Sequence, residues 1–78
     1  MAEITVQFAG PMRRPWAEMS RAIEIEAGSS VGDVLQRLGY SERELAFFAT
    51  AINGTGVGPD MVLCEGDTLD VMLKVGGG

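Results

Sequence analysis

Strict alternation of residues near both ends of the chain is the feature that most constrains its fold. Between residues 3 and 9, Ile4, Val6 and Phe8 alternate with Thr5, Gln7 and Ala9. Near the carboxyl terminus, four apolar residues alternate with three other residues. The apolar residues are Leu69, Val71, Leu73 and Val75, and the residues between them are Asp70, Met72 and Lys74. Such alternation is typical of β-strands with one buried face. Both ends of the chain are therefore predicted to lie in a sheet.

One helix is predicted in the middle of the chain, at residues 31–38. Its apolar positions follow helical spacing: Val31, Val34, Leu35 and Leu38. Ser30 and Asp33 have the pattern of a capping box, and Gly39 stands where a helix end favours a left-handed residue. Gly32 lowers the helix propensity by about 1 kcal/mol relative to alanine. The helix is thus expected to gain its stability from packing its apolar stripe on the sheet.

The remaining segments predict a small α+β domain. Residues 23–26 predict a second strand, antiparallel to the first, and residues 12–20 predict a loop. A further helical turn is predicted at 41–44, whereas helix and strand interpretations compete at 47–52, where a buried strand is preferred. Residues 54–59 are interpreted as an irregular connector and 64–67 as a tight turn. One helix would cover one face of a mixed sheet, leaving these residues on the open face: Thr5, Gln7, Glu24, Glu26, Asp70, Met72 and Lys74.

Length and composition indicate one domain, residues 1–78, and exclude several chemistries. The chain has no histidine and one cysteine, which excludes a Ser-His-Asp triad, a His-ligated zinc and an internal disulfide. Its net charge of −5 argues against binding to nucleic acid or to an anionic membrane, because both attract an excess of Lys and Arg. No apolar run is long enough to span a bilayer, and the amino terminus has no signal-peptide pattern. We expect a cytoplasmic protein without a metal site.

The sequence ends in three glycines, Gly76, Gly77 and Gly78. Because glycine has no Cβ, such a segment can enter a channel that is too narrow for other residues, and it leaves the terminal carboxylate unshielded. Three extended residues reach about 10 Å, which is far enough to enter the active site of a second protein while the domain docks outside it. The alternative interpretation is a frayed terminus or a cloning remnant.

Several segments, taken in order, resemble a known family. The sequence reads ITVQF at 4–8, SVGDVL at 30–35, AING at 51–54 and LCEGD at 63–67, and it ends in glycines. This looks like the ubiquitin-like sulfur carriers of the MoaD/ThiS type, which include the small subunit of molybdopterin synthase and the sulfur carrier of the thiamine pathway. The resemblance covers nearly the whole chain. It implies a ubiquitin-like β-grasp fold: a mixed sheet of four to five strands, one main helix on one face and a flexible glycine tail at 76–78.

The same resemblance implies a function for the carboxyl terminus. A ubiquitin-activating-type enzyme would adenylate the carboxylate of Gly78 with ATP, and the acyl group would become a thiocarboxylate, while Gly76 and Gly77 thread the partner's active site. The partner would supply the catalytic groups, so this chain would be a sulfur-carrying cosubstrate or non-catalytic subunit with no permanently bound cofactor. The sulfur would serve cofactor biosynthesis, with the molybdopterin type favoured over thiamine. As half of a molybdopterin-type synthase, the chain would also bind a large subunit.

Two departures from the family pattern leave the pathway open. Leu73 and Lys74 stand where small subunits of molybdopterin synthase often carry two prolines, and the segment between residues 10 and 21 is longer than in the thiamine carriers. A tungsten-cofactor branch or another sulfur-transfer branch is therefore an alternative. Two further alternatives are a ubiquitin-like modifier that is conjugated through Gly78 and a β-grasp interaction module whose glycines are inert.

Three residues are candidates for the partner interface: Met72, Lys74 and Trp16. Met72 is an apolar residue on the predicted open face, beside the strand that leads into the tail. Trp16 follows two arginines, and these residue types dominate interface hot spots. The alternatives are an isolated exposed methionine and a tryptophan folded over the edge of the core. The glycine-rich segment 54–58 lacks the Gly-Lys-Ser/Thr ending of a phosphate-binding loop.

Overall fold

Five strands form one mixed sheet in the computed structural model, which describes residues 1–10 and 12–74. In chain order the elements are β1 Ala2–Ala9, β2 Ser20–Ile25, α1 Val31–Arg37, α2 Glu42–Leu45, β3 Phe48–Ile52, β4 Thr55–Val57 and β5 Thr68–Leu73. Across the sheet the order is β2-β1-β5-β3-β4. Strands β1 and β5 are parallel, and the other neighbours are antiparallel. The first and last strands thus lie side by side inside the predicted mixed sheet.

The core lies between the sheet and α1. The inward side chains of the two central strands are nearly inaccessible to solvent: Ile4, Val6, Phe8, Leu69 and Val71. Val31, Val34 and Leu35 of α1 belong to the same buried cluster. The alternation predicted for β1 and for the first half of β5 is therefore an alternation between the core and the open face of the sheet.

Helix α1 begins and ends as the sequence predicts. Ser30 Oγ accepts a hydrogen bond from the Asp33 N–H, and the Asp33 carboxylate accepts one from the Ser30 N–H, both at 3.1 Å; together they complete the capping box. Gly39 has a φ of 103°, the left-handed conformation expected there. The Gly32 N–H donates to the Pro59 carbonyl at 2.8 Å. This close approach gives the reason for a glycine inside the helix.

The connector predicted at 54–59 is wrong for its first half, because β4 occupies Thr55–Val57 and pairs with β3. Asn53 and Gly54 form the two-residue turn of this hairpin, with φ values of 51° and 87°, as in a type I′ turn. A strand of three residues with a glycine in its centre has too little hydrophobic pattern to be recognised from the sequence.

Residues 41–52 contain both a helix and a strand. Ser41 forms a second capping box with Glu44 at the start of α2, and β3 begins at Phe48. Phe47 was predicted to lie in a buried strand, but it is 64% exposed. Its N–H donates to the Glu44 carbonyl at 3.0 Å, so Phe47 still belongs to the end of the helical turn rather than to β3.

Strand β5 leaves the core earlier than predicted. Leu73 was expected to face inward, but it is 39% exposed. Strand β1 ends at Ala9, opposite Met72, so Leu73 has a strand neighbour only on the β3 side, where it pairs with Phe48. Val75, the last residue of the predicted strand, lies outside the described residues.

Candidate functional site

The parallel pairing of β1 and β5 places the last described residues of the chain at one edge of the sheet. Ala9 and Met72 are register partners at the carboxyl ends of these strands. The Lys74 N–H then donates to the Phe47 carbonyl at 2.8 Å, which continues the ladder between β3 and β5 by one bond. This bond fixes the point from which the last four residues of the sequence, 75–78, continue. Gly76, Gly77 and Gly78 lie outside the described residues, so their predicted roles stay predictions.

Met72 protrudes from a part of the open face that is made of small side chains. It is 40% exposed, and its register partners on the two neighbouring strands are Ala9 and Ala49. Because neither alanine reaches as far as the methionine, the thioether is the most prominent apolar group in that row. Methionine adapts its shape to irregular apolar contacts. The predicted exposure of Met72 is confirmed, whereas its role at an interface is not tested.

Phe47 extends this apolar surface, although no sequence signal singled it out. It faces Lys74 across the last backbone bond of the ladder and is more exposed than any other aromatic residue among those described, at 64%. Phe47 and Lys74 follow the last pair of the β3–β5 ladder, Phe48 and Leu73, at the end of the sheet where Met72 and Ala49 are paired. We call these five residues the tail-edge patch: Ala9, Phe47, Ala49, Met72 and Lys74. The sequence signal that could have identified Phe47 is the pair of adjacent phenylalanines, Phe47 and Phe48. Only one side chain of such a pair can point into the core.

The other predicted open-face residues behave in two ways. Gln7, Glu24 and Glu26 are exposed, whereas Thr5 and Asp70 are half-buried. Thr5 and Asp70 lie on β1 and β5, but so does the exposed Gln7, which also has register partners on both sides; a central strand position alone therefore does not explain the difference. The open face is thus polar towards the β2 edge and apolar at the tail-edge patch.

Trp16 does not join the tail-edge patch. Its ring packs edge-on against Phe8, with centroids 5.7 Å apart, and Phe8 points to the helix side of the sheet. The guanidinium of Arg21 lies 5.3 Å from the centroid of the indole. Trp16 is half-buried at the margin of the core. Of the three residues predicted for the interface, Met72 lies on the open face, Lys74 follows at the end of β5, and Trp16 packs on the helix side of the sheet.

The loop that carries Trp16 is anchored to α2 by Arg13. Arg13 Nη2 donates to both carboxylate oxygens of Glu44, at 2.9 and 2.8 Å, and its guanidinium lies 4.7 Å from the centroid of the Tyr40 ring. The Tyr40 hydroxyl donates to the Arg13 carbonyl. The hydrogen bond from Arg13 lowers the pKa of the Glu44 carboxyl below its ordinary value, and the same bond raises the pKa of Arg13. Burial raises the pKa of Tyr40.

These features are an exposed apolar group, Met72, and a backbone bond that holds Lys74 at the end of the sheet. Within residues 1–10 and 12–74, no three His, Cys, Asp or Glu side chains come together in a way that could hold a metal ion. In the same part of the chain, no helix has the length and apolar character required to cross a bilayer. Cys64 is exposed in its predicted turn, where the Asp67 N–H donates to the Cys64 carbonyl at 3.1 Å.

Solved structures of three small proteins have the same fold over almost their whole length. SAMP1 from Haloferax volcanii is 16% identical, with a TM-score of 0.74 over 99% of this chain and 100% of that one. A protein assigned as molybdopterin converting factor subunit 1 from Pyrococcus furiosus is 20% identical, with a TM-score of 0.76 over 96% and 100%. A chain from the complex of subunits 1 and 2 of the molybdopterin-converting factor from Helicobacter pylori is 22% identical, with a TM-score of 0.65 over 97% and 99%.

These likenesses confirm the predicted ubiquitin-like β-grasp fold, with five strands and with α2 as a second, short helix. No curated protein is significantly similar in sequence. A family model, however, matches residues 6–78, nearly the whole chain. Given that match and the β-grasp arrangement of its sheet, the protein belongs to the ThiS family, the ubiquitin-like sulfur carriers that its sequence resembles.

Proposed function

We propose that this protein is a sulfur carrier whose Gly78 carboxylate is activated and converted to a thiocarboxylate by a partner enzyme. The observation that carries the proposal is the position of the chain's exit. Lys74 is held at the sheet edge by the bond to Phe47, beside an apolar patch, and four residues that end in three glycines follow it. A partner that covers the tail-edge patch would receive the terminal carboxylate about 10 Å or more beyond its contact with the sheet.

The chemistry requires an activated acyl group. A carboxylate is a poor electrophile, so one of its oxygens first attacks the α-phosphate of ATP and pyrophosphate leaves. A sulfur donor at the sulfide level then attacks the acyl carbon and AMP leaves, which gives the thiocarboxylate. The ATP and the groups that stabilise the developing charges belong to the adenylating partner. In this proposal the chain binds no permanent cofactor and acts as a cosubstrate rather than as an enzyme.

A molybdopterin-type pathway is proposed ahead of a thiamine-type one. Two of the similar structures are subunits of molybdopterin-converting factors, and one of them was solved in a complex of subunit 1 with subunit 2. By analogy, a large synthase subunit would be a second partner of this chain. Since both partners would need the same carboxyl terminus, they would bind one after the other.

Intact-mass measurement tests the proposal directly. The full chain is incubated with ATP, magnesium, an adenylating enzyme and a sulfide source, and we expect a gain of about 16 Da, because sulfur replaces one oxygen of Gly78 in a covalent acyl transfer. A variant that lacks Gly78 is the control and should gain nothing. Unchanged mass of the full chain, with an enzyme that is shown to bind it, would contradict the sulfur-carrier proposal.

The docking role of the tail-edge patch has a separate test. Met72→Glu places a charge in the apolar row, and we expect the KM for this protein in the adenylation reaction to rise about tenfold, with little change in kcat, because a buried interface anchor is lost. Met61→Glu is the matched control, since Met61 is 49% exposed and lies in the segment before Leu63, away from the patch. Equal effects of both substitutions would contradict docking at the patch.

Conjugation to other proteins is a second candidate function, which the likeness to a structure of the H. volcanii small archaeal modifier protein 1 favours. The activation step is the same, but a lysine amine would attack the acyl group in place of sulfide. Higher-mass conjugates that disappear when Gly78 is deleted would support the modifier function. Normal cellular function without Gly77 and Gly78 would instead indicate an interaction module with inert glycines.

A further inference from the structure

A groove on the helix side of the molecule is not used by the proposed sulfur transfer. It has a volume of about 900 Å³ and runs between the two helices, the β3–β4 hairpin and the turn at 58–60. Apolar side chains form much of its floor, among them Leu35, Leu45, Phe48 and Val57. Ligand-binding clefts in proteins have volumes of roughly 300–1,000 Å³, so the groove is large enough for several side chains of a partner.

The rim of the groove carries mostly negative charge. Asp33, Glu42 and Asp60 line it, and Lys74, at the end where the chain leaves the sheet, is the one cation among its described lining residues. Within residues 1–10 and 12–74, neither Glu42 nor Asp60 forms a salt bridge. An apolar floor with exposed carboxylates at the rim is complementary to an apolar segment that carries Lys or Arg.

One wall of the groove is a strand edge that has no further strand beside it among residues 1–10 and 12–74. Strand β4 is the last strand of the sheet on that side. Residues that flank a two-residue hairpin turn exchange both backbone hydrogen bonds, and the pattern alternates along the strands. Ile52–Thr55 and Thr50–Val57 are therefore the bonded pairs of this hairpin, and Gly56, opposite Ala51, turns its N–H and C=O outward.

Gly56 also leaves room for an incoming chain. A Cβ built at this position would meet nothing within 4 Å, and Gly58 has the same open surroundings. An extended segment that adds to β4 could thus approach the backbone closely. Because side chains alternate along a strand, every second side chain of that segment would point towards the groove.

We propose that this groove and the β4 edge bind an extended segment of a partner protein whose groove-facing side chains are apolar in the centre of the segment and Lys or Arg at its ends. The segment would add a sixth strand to the sheet, place its apolar side chains on the groove floor and pair its cations with the rim carboxylates. Ala49 and Lys74 of the tail-edge patch also line the groove, whereas Met72 does not, so a partner held in the groove leaves Met72 uncovered. The proposal does not depend on activation of Gly78.

The test is an NMR titration of the full-length, ¹⁵N-labelled protein with a seven-residue peptide, blocked at both ends, that has lysine at its first and last positions, valine at its third and fifth, and threonine between them, so that lysine and valine share one face. We expect saturable shifts of backbone amides at Leu45, Gly56, Val57 and Gly58, with none at Met72. Two control peptides separate the contributions of charge and backbone. Replacement of lysine by glutamate should abolish binding, and N-methylation of the backbone nitrogens that face β4 should abolish it as well.

Variants of the protein test the rim. Asp60→Lys should weaken binding of the lysine peptide about three- to tenfold, since exposed charge pairs contribute modestly and reversal doubles the change. Glu24→Lys is the control, because Glu24 is an exposed carboxylate on β2 at the other edge of the sheet. Glu42→Gln, a milder change, should weaken binding less than Asp60→Lys. No binding of the lysine peptide, equal binding of the glutamate or N-methylated peptide, or shifts confined to the tail-edge patch would each overturn the proposal.

Discussion

The two faces of the central strands differ in what their residues contribute. On β5, Leu69 and Val71 face the helix side and are fully buried, whereas Met72, the next residue, is 40% exposed on the open face. These positions differ in the direction of the side chain and in their distance from the end of the β1–β5 pairing, since Leu73, beyond that end, is 39% exposed although it faces the helix side. Burial of an apolar side chain contributes about 1.5–3 kcal/mol to stability, whereas exposed positions contribute little. The helix side therefore holds the fold, and the open face is available for recognition.

The largest separation between stability and function is expected at the end of the chain. Under the proposed function, deletion of Gly78 should abolish thiocarboxylate formation completely, because the proposed reacting carboxylate is then displaced along the tail. It should leave the thermal unfolding midpoint unchanged, since the buried residues of the described core end at Val71. Intact mass and calorimetry measure the two effects. A clear fall in the unfolding midpoint would show that the end of the chain also contributes to the fold.

Two substitutions on β5 compare the faces directly. Leu69→Ala should lower the free energy of unfolding by about 3 kcal/mol, because it removes a buried side chain and leaves a cavity, whereas Met72→Ala should change it by less than about 0.5 kcal/mol. Affinity for the adenylating partner should show the opposite order, with the larger loss in the methionine variant. Urea denaturation and binding titrations provide the two measurements.

A milder core substitution keeps this comparison measurable if Leu69→Ala unfolds the domain. Ile4→Val removes one buried methyl group from β1 and should cost about 1 kcal/mol. If Met72→Ala destabilised the protein as much as Ile4→Val does, the division between a stabilising face and a recognition face would be wrong.

The buried residues on the helix side were predicted well from the sequence, because apolar residues recur there with the period at which side chains point into the core. The alternation in β1, the start of β5 and the apolar stripe of α1 all correspond to one shared core. The capping residues around α1 were predicted for a local reason, since a cap needs only side chains three positions apart. These features depend on neighbours in sequence or on a simple period.

Features that depend on register or on the end of a neighbouring element could not be predicted from the sequence. Leu73 follows the apolar pattern, yet it is exposed because β1 ends at Ala9. Phe47 and Phe48 are identical residues, and only the boundary between α2 and β3 decides which one is buried. Trp16 packs on Phe8, but it belongs to a loop that has no helical or strand periodicity, so its position could not be predicted from the sequence. The tail-edge patch was therefore predicted in part, through Met72 and Lys74 but without Phe47.

Two glycines, Gly32 in α1 and Gly56 in β4, allow a matched test of packing. At Gly32 a Cβ would lie 3.2 Å from the Pro59 carbonyl oxygen, a backbone atom that also accepts the Gly32 N–H. Overpacking costs about 1–3 kcal/mol and the gain in helix propensity is about 1 kcal/mol, so Gly32→Ala should destabilise the protein by about 1 kcal/mol. Gly56→Ala, in open space, should be neutral or should stabilise by up to about 0.5 kcal/mol. If both substitutions stabilised the protein, the turn at Pro59 would be able to move away from a Cβ at position 32 at little cost in free energy.

The smallest expected effect is the loss of stability at acid pH. The carboxyl groups responsible lie at the starts of the two helices rather than on either face of the sheet. Hydrogen bonds from Arg13 and from the Ser41 backbone lower the pKa of Glu44, and bonds from Ser30 lower that of Asp33. A carboxyl whose pKa is lower in the folded state stabilises the fold above its unfolded pKa, and this contribution is lost as the pH falls through the folded pKa. The urea midpoint should therefore fall as the pH drops from about 5 towards 3. Glu44→Gln should lower the urea midpoint at pH 7 and make the midpoint fall less at acid pH. Glu42→Gln is the control and should do neither, because Glu42 has no side-chain hydrogen bond among those described. If both variants had the same pH profile, the bond from Arg13 to Glu44 would not be a source of the acid dependence.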